Sequence, residues 1–161
     1  MAKKTNLPTW SKGVIAVVIT GATAFALYKI YKLIQANLDQ KKGREEMSAT
    51  DRKLRELERA GKGAKLSQPQ ILQLANKLET AFGGYGTDFG AIKNAIQQIT
   101  NEADLLSVRK AYDIRTISSG DFNPASDYTG TLDQTITDEC DSSQIAILND
   151  ILKAKQINDL F

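Results

Sequence analysis

An all-α fold is predicted for this chain, and three observations carry the prediction. Apolar residues recur at helical spacing from Ile71 onward, capping residues stand where those patterns begin, and one long apolar stretch near the amino end lacks charge. The expected organisation is a basic tail at 1–12, a transmembrane helix at 13–34, a basic juxtamembrane linker and spacer helix at 35–66, and a five-helix bundle at 67–161.

In the N-terminal region, Lys3 and Lys4 are followed by Pro8 and by Trp10, an aromatic of the kind that settles at interfaces. From Gly13 to Tyr28 run 16 uncharged residues, GVIAVVITGATAFALY. Sixteen helical residues reach only about 24 Å against a hydrocarbon core of roughly 30 Å, so the span needs Ile30, Leu33 and Ile34, with Lys29 and Lys32 turned to the headgroups. A cleaved secretory signal, with Ala24-Phe25-Ala26 as the cleavage pattern, and a buried core helix are the competing readings. Lys29, Lys32, Lys41, Lys42 and Arg44 follow the stretch, which by the positive-inside rule places the C-terminal domain on the cytoplasm-like side. Those five cations are also expected on anionic lipid headgroups, or else in a solvated linker.

Residues 44–60 are rich in helix formers but offer only a thin apolar stripe, Leu54 and Leu57, so a charged spacer helix is expected. Gly61-Lys62-Gly63 ends it. The domain then opens at Ser67, with Gln70 completing a capping box around Pro69. Ile71, Leu74, Ala75, Leu78, Ala81 and Phe82 form the first apolar face. Phe82-Gly83-Gly84-Tyr85-Gly86-Thr87-Asp88 follows, a tight loop in which glycines close one helix and Thr87 caps the next.

The second helix faces inward through Phe89, Ile92, Ala95, Ile96 and Ile99. Asn101, with Asp104, opens a third that carries Leu105, Val108, Ala111 and Tyr112. Residues 114–130 lose all periodicity and read as a long loop. Its Phe122 and Tyr128, beside Asp121 and Asp127, suit either a partner surface or a plug for the bundle. A fourth helix carries Leu132, Ile136 and Cys140, and a fifth, capped by Asp141 or Ser142, carries Ile145, Leu148, Ile151 and Leu152.

Composition narrows the chemistry. With no histidine among 161 residues, Ser-His-Asp and Cys-His catalysis and the usual zinc sites are excluded. Cys140, the single cysteine, forms no internal disulfide. Residues 1–66 carry 14 Lys/Arg against 6 Asp/Glu, a net +8, and residues 67–161 carry 7 against 13, a net −6. The basic residues are mixed with acids and lack interleaved aromatics, so no nucleic-acid partner is expected.

Residues 67–157 resemble a single annexin repeat, a bundle of five helices. The likeness rests on LANKLETAFGGYGTDFGAIKNAIQQITNEADLLSVRKAY, with its G-x-G-T-D loop, and on TLDQTITDE and SQIAILNDIL. It implies Ca²⁺ held by the carbonyls of Phe82, Gly84 and Gly86, with Glu139, seven residues after Leu132, as a bidentate carboxylate. The stretch between Tyr112 and Leu132 is longer than in the family, and only one repeat is present. The same loop also works as a plain helix cap.

Three functions follow as expectations. The first is a non-enzymatic, single-span membrane protein, a structural tether or adaptor between a bilayer and a protein layer, in a bacterial envelope or a membrane-containing virus particle. The second is calcium-dependent binding of lipid or protein by the annexin-like domain. The third is a cell-wall-degrading enzyme working through one carboxylate among Glu79, Asp138 and Glu139, with Cys140 as a remote nucleophile. The first is preferred: no catalytic residue and no cofactor is assigned, Ca²⁺ excepted.

Overall fold

The helices form where capping and periodicity coincide. The computed structural model describes residues 9–83, 86–118 and 128–161, and the side chains at 9–27, 32–36 and 39 lie outside the description. The elements are α1 (Thr9–Arg59), α2 (Gln68–Phe82), α3 (Phe89–Gln98), α4 (Glu102–Tyr112), β1 (Arg115–Ile117), β2 (Tyr128–Gly130), α5 (Leu132–Glu139) and α6 (Ser142–Ala154). The chain divides into two units, Met1–Leu38 and Asp39–Phe161, so the part of α1 from Asp39 onward belongs with the bundle.

The first unit corrects one expectation. Among the described residues no helix is long and apolar enough to cross a membrane, so the single-pass placement, with residues 13–34 in a bilayer and the C-terminal domain on the cytoplasm-like side, does not stand. The physical reason is reach: the uncharged run is a turn or more too short, and the turns that would extend it carry Lys29 and Lys32. In the structure Lys41, Lys42 and Arg44 are exposed on α1.

In the second unit, Ser67 and Gln70 form the anticipated capping box of α2, and Asn101 Oδ1 accepts the Asp104 amide at 2.7 Å to open α4. Thr131 with Gln134, and Asp141 with Gln144, cap α5 and α6 in the same way. The apolar faces converge on one core. Leu78, Ile92, Ile96, Ile99, Leu105, Tyr112, Leu132, Ile136, Leu148 and Leu152 are fully buried, and the Phe82 and Tyr112 rings meet edge to face at 6.3 Å.

Two elements depart from expectation. The 114–130 stretch, read as loop, contains an antiparallel ribbon in which Arg115 pairs with Gly130, Thr116 with Thr129 and Ile117 with Tyr128. The charged segment read as a spacer is packed: Leu54 is buried against Ala103 and Leu106, with Leu57 beside it. Ion pairs line that seam, Lys53 to Glu102 (2.6 Å) and to Asp159 (2.9 Å), and Lys110 to Asp51 (2.8 Å). Glu46 adds hydrogen bonds from the Thr131 hydroxyl and the Gln134 amide. At Gly43 a Cβ would lie 3.1 Å from Ile114 Cδ1 and 3.2 Å from Thr131 Cγ2, so a residue that weakens the helix is what lets α1 approach the ribbon so closely.

Candidate functional site

The loop between α2 and α3 is shaped by the termini it joins. Gly83 caps α2 through an amide that donates to Glu79 O at 3.1 Å, and the Asp88 amide returns to Ala81 O at 2.8 Å. Gly86 has φ +92°, a left-handed backbone that L side chains adopt only with strain, which is the reason for glycine there. Gly84 and Tyr85 lie outside the described residues.

Thr87 was expected to cap α3. Asp88 does so instead, its Oδ1 accepting from Ala91 N at 2.9 Å. The Thr87 hydroxyl is committed elsewhere: it donates to Glu139 Oε2 at 2.5 Å, across 52 residues of sequence. The end of α5 is thereby fastened to Thr87, the residue after Gly86, despite the long insertion before Leu132.

The oxygens expected to hold Ca²⁺ are hard donors of the kind that ion prefers. Phe82 ends α2, so its carbonyl is among those a helix terminus leaves without an intrahelical partner. The Gly86 carbonyl is unhindered by a side chain, and Glu139 Oε2 accepts from Thr87. Among the described residues there is no cluster of three or more acidic, cysteine or histidine side chains able to hold a metal, so any cation would rest on backbone oxygens plus this one carboxylate. The donor set fits Ca²⁺ in chemical type.

The other candidates fall into structural roles. Glu79 pairs with Arg115, whose guanidinium also reaches Asn76 Oδ1 and the carbonyls of Ala111 and Tyr112 and lies 5.1 Å from the Tyr112 ring centroid. Cys140 is buried, and desolvation, reinforced by Glu139 and Asp141, pushes its thiol up to about 11, so it stays protonated near neutrality and is a poor nucleophile. Asp138 is exposed at the end of α5. Tyr128 is half-buried, its ring folded over Gly130, whereas Asp121, Phe122 and Asp127 lie outside the described residues.

Two charged side chains, Asp104 and Arg109, are buried, which the sequence reading did not anticipate. Asp104 is fully buried: Oδ1 accepts the amides of Lys65 (2.7 Å) and Leu66 (2.9 Å), and Oδ2 accepts the amide (3.1 Å) and hydroxyl (2.5 Å) of Thr100. Burial alone would raise its pKa, but these hydrogen bonds outweigh it and hold the carboxyl below the ordinary 3.8. Arg109, also buried, bonds Asp133 (2.8 Å) and Asp159 (2.9 Å) and lies 5.3 Å from the Phe161 ring centroid. An open groove of about 780 Å³ separates α2 from α3, lined by Pro69, Leu72, Gln73, Asn76, Asn94 and Gln98.

No family model, curated protein or solved structure matches this chain.

Proposed function

We propose that this chain is a non-enzymatic adaptor that binds a protein partner through its helical bundle, with the 82–88 loop and Glu139 as its calcium-responsive element. The supporting observation is the 2.5 Å hydrogen bond from Thr87 to Glu139, which puts a carboxylate against a glycine loop from which it is distant in sequence. The likeness of residues 67–157 to an annexin repeat points to this carboxylate, and the contact supports that reading despite the insertion. Phe82 and Gly86 carbonyls with Glu139 would hold the ion, which would supply charge and rigidity at the junction of α2, α3 and α5. A catalytic role is disfavoured because Cys140 is held as a thiol and Glu79 is engaged by Arg115.

The test is thermal unfolding of the full chain with and without millimolar Ca²⁺, with Mg²⁺ as the control. Calcium should raise the melting temperature of the wild type and leave Glu139→Gln unmoved. The glutamine keeps an oxygen for the Thr87 hydroxyl, so the variant removes the charge and spares the fastening. A wild type indifferent to Ca²⁺ would refute the calcium element. Crosslinking in cell extract, read for a recurrent calcium-dependent neighbour, tests the adaptor role.

A further inference from the structure

A second pocket, of about 620 Å³, lies where the α1–α2 turn meets the start of α4 and the segment after α6. Lys62, Lys65 and Lys155 line it together with Thr100, Asn101 and Asn158. We propose that this pocket binds a small polyanion through its phosphate groups.

Glu102 also lines the pocket, but its Oε1 lies 2.6 Å from Lys53 Nζ. Asp104 is the other acid nearby, and both of its oxygens are taken up by three backbone amides and the Thr100 hydroxyl. Neither carboxylate forms an ion pair with the pocket's lysines, although the Asp104 charge acts on Lys155. Lys62 and Lys65 have no ion-pair partner among the described residues.

Lys155 is the informative member. Its ammonium donates to two carbonyls at the end of α3, Gln97 O at 2.5 Å and Ile99 O at 2.6 Å. Those bonds fix the cation, occupy two of its three donors, and supply no negative charge. Burial lowers its pKa, with Asp104 pulling the other way. A positioned, partly desolvated ammonium that shares a pocket with two cations lacking ion-pair partners is completed by an anion carrying several oxygens. The pocket also holds neutral donors for such oxygens in Thr100, Asn101 and Asn158. No aromatic side chain lines it, so a base or sugar ring finds no stacking surface and the phosphates carry the binding.

Titration calorimetry of the full chain at low salt, with inorganic tripolyphosphate as the probe, tests this. Saturable binding is expected, weakened at least about tenfold by Lys62→Ala combined with Lys65→Ala, two exposed side chains whose loss leaves the fold intact. The reference variant, Arg52→Ala with Arg55→Ala, removes the same charge from exposed positions on α1, away from the pocket lining, and should change the affinity less than about twofold. ATP should bind no more tightly than tripolyphosphate. No saturable binding at millimolar probe, equal weakening by the two double variants, or a strong preference for ATP would each overturn the assignment. None of these readouts depends on calcium or Glu139.

Discussion

Replacing Asp104 removes the acceptor that ties the 63–66 turn to the start of α4. In Asp104→Ala three backbone amides, Lys65, Leu66 and Thr100, lose their partner together. An unsatisfied amide costs about 1–3 kcal/mol when water is excluded. These are only part-buried, which argues for the low end, so the sum is about 3 kcal/mol. For a chain of this size that lowers the melting temperature by roughly 10 °C. Asp104→Asn keeps an oxygen for Lys65 and Leu66 but turns an NH₂ toward the Thr100 amide, so about half the loss is expected.

The pH dependence separates charge from shape. The native pKa of Asp104 is depressed, so the native state binds fewer protons there than the unfolded chain. The stabilisation is full above the unfolded value of about 3.9 and is lost as pH falls through the lower native value. The gap in stability between wild type and Asp104→Asn, measured by urea unfolding, should be widest near neutrality and should close below about pH 4. A loss under about 1 kcal/mol for Asp104→Ala, or a gap unchanged at pH 3, would refute this account.

Three further outcomes follow from the same geometry. Gly86→Ala, forced to φ +92°, should cost about 1–2 kcal/mol by chemical denaturation, and Gly63→Ala, where a Cβ meets nothing, should cost far less. Arg109→Met leaves Asp133 and Asp159 without their shared cation; a loss of about 3 kcal/mol in urea unfolding is expected, larger than for Lys153→Met on exposed α6. Cys140, buried and protonated, should react with iodoacetamide at pH 8 only as fast as the chain opens, and at full rate in denaturant.

The helical bundle was legible in the sequence because each helix declares itself locally. Ser67 with Gln70, Asn101 ahead of Asp104, and Asp141 as the cap of the last helix need only neighbours a turn away. The ribbon was not, since three-residue strands are too short to show alternation and each finds its partner more than ten positions away in sequence. Nor was the seating of α1. Its apolar contribution is little more than Leu54 and Leu57, and the remaining contacts are polar pairs with residues far along the chain. That seating also explains the misjudged face of α4. A helix covered on one side shows one apolar stripe, but α4 is buried continuously from Ala103 to Arg109, so Leu106, Asp104 and Arg109 fall outside the stripe read from periodicity. At the glycine loop the turn was readable from composition, whereas Thr87 and Asp88 exchanged roles because Glu139 competes for the threonine hydroxyl.

The seven residues after α6 do more than trail away from it. Ile157 enters the core, Asp159 joins Lys53 to Arg109, and the Phe161 backbone is held at both its amide and its carbonyl by Asn149. Anyone trimming a fragment for crystallisation or spectroscopy would naturally stop at Ala154, where the last helix ends. That cut would open a hole in the interior and strip a buried guanidinium of one of its two carboxylates, so a shortened version would report on a damaged protein.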